Sequence, residues 1–148
     1  MSADADALRY SVSRPFVLRI SVAREHLDAQ GHASNVVFLD WMNRAAIEHS
    51  AALGFDAAYR RLGAMFVVRR HEIDYDRPAR LGDALLCATW ISRVGRATAE
   101  RRHEIIRAAD GARLARGRNV WAYVSAATGR PHRIPPPIVA AFDPRHFV

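Results

Sequence analysis

The hydrophobic residues change their spacing along the chain, and each change predicts a different element. From residue 16 to 24 apolar side chains alternate with others, which predicts a first β-strand. Between residues 35 and 53 apolar side chains cover most sides of a helix, and only Asp40, Arg44 and Glu48 form a charged line. An ordinary surface helix buries one stripe. We therefore expect a curved sheet that wraps around this helix.

Four more strands are predicted after the helix. A connector at residues 55 to 64, with a short helical turn at 57 to 62, leads into them. Gly95 and the Asp110-Gly111 dipeptide provide hairpin turns, so the last three strands form a meander. A proline run then precedes a short terminal helix at 138 to 142. The four strands are predicted at residues 65 to 75, 84 to 92, 97 to 108 and 113 to 125.

This order indicates an α+β fold, with a single curved, mostly antiparallel sheet of about five strands wrapped around one long central helix. The chain of 148 residues is long enough for one domain, which we assign to residues 1 to 148. Residues 1 to 15 are expected to be a flexible lead-in. No apolar run approaches the roughly 20 residues of a membrane-spanning helix, and the acidic N-terminus is unlike a secretory signal. We therefore expect a cytoplasmic protein without a membrane partner.

The net charge of +7 first suggests a polyanionic partner. All 22 basic residues are arginine, however, and they are dispersed along the chain without a basic block or interleaved aromatic residues. Nucleic acid is therefore not expected as a partner. A small molecule that carries phosphate, or an acidic carrier protein, fits this charge better.

Several classes of enzyme are excluded because their motifs are absent. The chain has no G-x-S-x-G elbow, no phosphate loop, no dinucleotide fingerprint and no H-E-x-x-H. Its seven histidines show no paired helical spacing, so we expect no metal site. Cys87 lies in an apolar run, which predicts a buried, inert thiol.

The candidate chemistry lies in the polar turn before the long helix. Asp28 precedes the helix start at Asn35 by seven residues, and Gly31 can adopt backbone angles that are closed to other residues. Unpaired amides at a helix start can polarise a carbonyl oxygen, while a nearby carboxylate attacks the carbon or activates water. The alternative is that Asp28 only caps the turn, which the pattern alone favours. His32 either lines a pocket or is a hydrogen-bonded structural residue.

Two blocks of sequence resemble a known family. The run DAQGHASNVVF, residues 28 to 38, resembles the active-site loop of hotdog-fold acyl-CoA thioesterases of the 4-hydroxybenzoyl-CoA thioesterase type. The block IDYDRPARLGD, residues 73 to 83, is similar to that family's Y-x-x-P-A-x-x-G-D strand and turn. Together with the later glycine turns, the resemblance covers about residues 16 to 142. His26 and Phe38 depart from it, because many relatives have aspartate and tyrosine at these positions.

The resemblance implies roles for individual residues. Asp28 occupies the position of the catalytic carboxylate, as nucleophile or general base, and Asn35 the position whose backbone N–H points at the thioester carbonyl. Gly31 and His32 complete that loop. Arg93 and Arg96 match positions where relatives place cations for the CoA phosphates, although solvated turn charges are an equal alternative.

The implied function is hydrolysis of an acyl-CoA thioester, with CoA as part of the substrate and no other cofactor. Hydrolysis of acyl groups on acyl carrier protein is a close alternative, which the positive charge suits. A noncatalytic acyl-thioester binder and a hotdog dehydratase are further alternatives. The relatives pair, and a lone curved sheet has open edges, so we expect a homodimer or homotetramer with a site shared between subunits.

Overall fold

A computed structural model of the chain describes residues 9 to 148. Residues 1 to 8, the first half of the predicted lead-in, lie outside the described residues. In the second half, Ser11 donates hydrogen bonds to the Glu104 carboxylate from its backbone N at 2.7 Å and from its Oγ at 2.9 Å. The Ser13 carbonyl lies 2.7 Å from His146 Nε2. This part of the lead-in therefore contacts the sheet and the C-terminal segment.

Five strands form one sheet with the spatial order β1-β3-β4-β5-β2. Every neighbouring pair is antiparallel, and β3, β4 and β5 form the predicted meander at the centre. The edges are therefore β1 on one side and β2 on the other. The strands are β1 (Phe16–Ser21), β2 (Ala64–Tyr75), β3 (Ala84–Val94), β4 (Thr98–Arg107) and β5 (Arg113–Ser125).

The long helix α1, Asn35–Ala52, begins and ends within one residue of its predicted bounds. A second helix, α2, spans Phe55–Leu62, and a third, α3, spans Pro136–Ala141. Both short helices begin two residues before their predicted starts. For α3 the reason is that Pro136 itself occupies the first turn, where proline is favoured.

The sheet face that contacts α1, here called the inner face, carries most of the core. Fully buried Met42 on α1 lies directly over Gly117 of β5, where a Cβ atom would be only 2.7 Å from Met42 Sδ. Glycine therefore lets the helix approach the strand closely. Cys87 on β3 is fully buried as predicted, and burial raises the pKa of its thiol to about 12. The same core includes Leu18, Ile20, Phe38, Trp41, Ala45, Leu85, Ile105 and Leu114.

The sheet of one chain covers one side of α1 and leaves another side open. Val36 is 68% exposed and Ile47 is 57% exposed. On the neighbouring edge strand β2, Met65, Val68 and Tyr75 are also exposed. The single chain therefore does not supply all of the apolar cover that the sequence of α1 predicts. The α+β architecture, one antiparallel five-stranded sheet packed on a long helix, is confirmed.

Candidate active site

The loop before α1 is held by its own backbone. Asp28 N donates to the His32 carbonyl at 2.8 Å, and Gly31 N donates to the Asp28 carbonyl at 3.0 Å. Gly31 has a φ of 78°, a left-handed conformation that glycine adopts without strain. Ser34 N then donates to the His26 carbonyl at 3.0 Å. The turn and the start of the helix therefore form one connected unit.

The Asp28 side chain is exposed in the single chain. Its Oδ1 accepts a hydrogen bond of 2.9 Å from Gln30 N. The turn-capping role that the sequence pattern favours is therefore present. Because this hydrogen bond engages Oδ1, it does not prevent Oδ2 from meeting a water molecule or a substrate.

The start of α1 supplies amide donors beside this carboxylate. Ser34 is the N-cap, and its Oγ accepts from Val37 N at 3.3 Å. The N–H groups of Asn35 and Val36 precede that bond and have no acceptor inside the helix, as at any helix start. These two amides carry the positive end of the helix dipole.

Asp28, His32 and Asn35 line a single open depression of about 340 Å³ on the surface. The structure therefore brings together three of the four loop residues that the resemblance selects. The fourth, Gly31, shapes the turn and is not part of the lining. The remaining walls come from Gln30, Ala33, Phe38, Tyr75, Asp76, Arg77 and Pro78.

The second block of sequence that resembles the family packs against the first. Tyr75, at the end of β2, donates from its hydroxyl to the Asn35 carbonyl at 2.8 Å, and its ring meets Phe38 edge to face at 5.4 Å. Ala33 N donates to the Ala79 carbonyl at 2.9 Å. Sequence reasoning did not name Tyr75 as a site residue. Its place in the second matching block was the available signal.

Arg93 and Arg96 lie elsewhere in the chain. Arg93 is the last residue but one of β3 and Arg96 follows in the turn to β4, whereas the depression is lined by residues up to Pro78, which precede the other end of β3 at Ala84. At roughly 3.3 Å per residue, the length of β3 separates the two ends by about 33 Å. Within one chain these arginines therefore do not reach the depression. Their predicted contact with CoA stays a prediction that requires a second subunit.

The site carries no feature of a metal centre or of a membrane-spanning segment in residues 9 to 148. Across this range no group of three or more histidine, cysteine or acidic side chains is arranged to hold a metal ion. None of the helices in the same range is long and apolar enough to cross a membrane.

Comparison with known families and structures then identifies the class of protein. A family model described as the thioesterase-like superfamily matches residues 22 to 142. The chain therefore belongs to the thioesterase-like superfamily, and it is a thioester hydrolase with the predicted hotdog fold. A search of curated protein sequences finds no match.

Solved structures extend this result. A thioesterase from Thermus thermophilus, complexed with coenzyme A and Zn, is 29% identical with a TM-score of 0.76, and the match covers 88% of this chain and 92% of that one. A 1,4-dihydroxy-2-naphthoyl-CoA thioesterase from Synechocystis shares the fold at 20% identity and a TM-score of 0.78, over 86% of this chain and 95% of that one. A putative oleoyl thioesterase from Lactobacillus plantarum is 26% identical with a TM-score of 0.81, where the match covers 87% of this chain but 50% of that protein.

Proposed function

We propose that the protein hydrolyses an acyl-CoA thioester to the free acid and CoA at the depression before α1. The observation that carries this proposal is that the Asp28 carboxylate and the amide-bearing start of α1 line the same depression. A carboxylate that attacks or activates water, together with oriented N–H donors for the carbonyl oxygen, is a sufficient set of groups for thioester hydrolysis. The Thermus relative, which was solved with coenzyme A, supports CoA as the carrier.

Asp28 acts by one of two routes. As a general base it takes a proton from water, and the resulting hydroxide attacks the thioester carbonyl carbon. As a nucleophile its own oxygen attacks that carbon, and water then cleaves the mixed anhydride. In both routes the backbone N–H at Asn35 stabilises the negative charge on the carbonyl oxygen, and the CoA sulfur leaves as a thiolate that gains a proton.

A homodimer completes the site in this proposal. The edge strand β2 is open, the exposed residues Met65 and Val68 lie along it, and Ile47 is exposed on α1. Antiparallel pairing of two β2 edges would bury these side chains and satisfy the open backbone groups. It would also place the β3–β4 turn of one protomer near the depression of its partner. Arg93 and Arg96 would then be available to the CoA phosphates.

The test compares Asp28→Asn with the unmodified protein on a panel of aliphatic and aromatic acyl-CoA thioesters, with release of free thiol as the readout. We expect kcat to fall by about 100-fold or more, because the amide neither accepts the proton nor attacks. Asp40→Asn, the same change at an exposed position on α1, is the matched control and should keep full activity. No thiol release on any thioester, or unchanged turnover in Asp28→Asn, would overturn the proposal.

Acyl carrier protein is a second candidate for the carrier of the same reaction. The net charge of +7 favours it, since carriers of this kind are acidic and complementary charge raises the rate of encounter. Turnover of the same acyl group on the two carriers distinguishes them, and a carrier-protein substrate should show the stronger loss of rate with added salt. The cytoplasmic location stays a prediction from the sequence.

A further inference from the structure

A second cavity lies away from the depression, between the C-terminal half of α1, helix α2 and the inner face of the sheet. Its volume is about 100 Å³, and it opens to the surface. Most of its wall is aromatic or aliphatic, formed by Phe55, Tyr59, Phe66, Ile91 and Phe142. This is smaller than the apolar cavity of about 150 Å³ that encloses benzene in another protein, but because the cavity is open, a small hydrocarbon group can enter it in part and extend toward the surface.

Arg101 of β4 places a positive charge in this apolar wall. Arg101 is 3% exposed, and it lines the cavity. The Nη1 atom contacts two neutral groups, His49 Nδ1 at 2.9 Å and Thr89 Oγ1 at 3.0 Å. Burial lowers the pKa of the Arg101 guanidinium to about 10, so it remains charged at neutral pH. A buried charge of this kind is unfavourable unless an opposite charge approaches it.

No carboxylate supplies that opposite charge among the described residues. None of the ion pairs in residues 9 to 148 involves Arg101. Asp56 also lines the cavity, but it is exposed and forms no ion pair with Arg101. The guanidinium is therefore available to an anion that enters the cavity.

Trp121 provides a second, independent observation. It lines the same cavity, and its Nε1–H is buried without a hydrogen-bond acceptor. Strand register places Trp121 opposite Ala99, two residues from Arg101 along β4, and both Ala99 and Arg101 line the cavity. A buried indole N–H normally has a partner. The indole ring therefore forms part of the cavity wall next to Arg101, and its N–H is an unsatisfied donor inside that wall.

We propose that this cavity binds the carboxylate of a small apolar acid. The Arg101 guanidinium pairs with the carboxylate, while the aromatic walls, including the Trp121 indole, surround the hydrocarbon part. The forked donors of arginine match the two carboxylate oxygens. The site is distinct from the depression, because Asn35 and Ala46 are about 17 Å apart along α1 at 1.5 Å per residue.

The carboxylate has two sources, a free acid or the far end of an acyl group. The second source rests on the proposed function, since pairing of the β2 edges would bring this cavity near the depression of the partner protomer. A thioester whose acyl chain ends in a carboxylate would then span the two sites. The free acid needs no second subunit.

The first test measures binding of benzoate and hexanoate against benzamide and hexanamide, by calorimetry and by tryptophan fluorescence. We expect each acid to bind the unmodified protein about tenfold more tightly than its amide, because only the acid carries the charge. Arg101→Met should abolish this preference, Arg101→Lys should retain part of it, and Trp121→Phe should remove the fluorescence change. Arg44→Met, which removes an exposed guanidinium from α1, should have no effect.

Equal binding of acid and amide by the unmodified protein would overturn the proposal. This test does not depend on the Arg101 variants, so it remains valid if they fail to fold. A preference for acid that survives in folded Arg101→Met would overturn it as well. The second test compares hydrolysis of CoA thioesters of equal length with and without a terminal carboxylate. Faster hydrolysis of the thioester with a terminal carboxylate, if Arg101→Met removes this advantage, supports the acyl group as the source. Binding of the free acids without such an advantage in hydrolysis supports the free acid. Absence of any hydrolysis would defeat the proposed function but leave the binding test intact.

Discussion

The inner face of the sheet holds buried polar residues where a core is usually apolar. Beside Arg101, the ring of His103 is 1% exposed, and neither of its nitrogens has a hydrogen-bond partner. His49 on α1 contacts Arg101, and Asn119 contacts His71. Burial, followed by the charge of Arg101, lowers the pKa of His49 to about 3 and that of His103 well below its ordinary value. Both histidines are therefore neutral at pH 7 in the folded chain.

This burial predicts a loss of stability in mild acid. The folded pKa of His49 lies below the unfolded value of 6.5, so its contribution is complete above pH 6.5 and is lost as the pH falls toward 3. Between pH 7 and pH 5 the free energy of unfolding should fall by about 2 kcal/mol from His49 alone. Urea unfolding at the two pH values measures the loss, which His49→Gln should reduce and His132→Gln, at an exposed position, should not. Equal stability of the unmodified protein at both pH values would contradict the prediction.

The sequence predicted the loop residues but not the buried polar residues. Asp28 and Asn35 stand in a turn and a helix start close together along the chain, and the family resemblance selected both, whereas the pattern alone favoured a capping role for Asp28. Along β4, by contrast, charged residues occur on both faces, with Arg101 inward and Arg102 outward. The alternation of polar and apolar residues along β4 therefore does not predict which of the two guanidinium groups is buried. Packing of α1 and α2 over the strand decides that, and it depends on contacts distant in sequence.

At the scale of elements, the distance between α1 and β5 depends on Gly117. An alanine there would place its Cβ 2.7 Å from Met42 Sδ, closer than such atoms pack, and Met42 is fully buried. Gly117→Ala should lower the free energy of unfolding by about 1 to 3 kcal/mol, measured by urea unfolding. In a Met42→Ala background, where the sulfur is absent, the same change should have little effect. An equal loss in both backgrounds would show that the contact with Met42 is not the cause.

Element boundaries followed local chemistry to different degrees. Ser34 is the N-cap of α1 and Gly54 follows its last turn. With these local signals, the predicted ends of α1 agree with the observed ends within one residue. In β2, however, the register with β5 shifts between Val68 and Arg70, and no feature of the local sequence predicts this bulge. The bulge depends on how the edge strand follows the curvature of its neighbour.

At the scale of the whole molecule, the open β2 edge and the exposed apolar side chains predict association. We expect a dimer at micromolar concentration by sedimentation velocity, because pairing of the β2 edges would cover the exposed residues Met65 and Val68. Val68→Arg should shift the protein toward monomer, since it places a charge in that contact. Ser21→Arg, at an exposed position on the opposite edge strand β1, is the control. A monomeric unmodified protein, or dissociation by Ser21→Arg alone, would rule out this interface.

The order of strands could not be deduced from the sequence beyond the central meander. Hairpin turns link β3, β4 and β5, so their adjacency follows from local signals. The placement of β1 beside β3 and of β2 beside β5 depends on how the sheet closes over α1. The same closure brings Tyr75 to the start of α1, 40 residues away in sequence.

The hydroxyl of Tyr75 holds the Asn35 carbonyl oxygen at 2.8 Å. That oxygen belongs to the peptide unit whose other end is the Val36 N–H, and a peptide unit is planar. Anchoring one end therefore sets the direction of the other, so the Val36 N–H, the second free amide at the helix start beside that of Asn35, is oriented before any ligand arrives. Reorganisation of the backbone on approach of a carbonyl group is reduced accordingly.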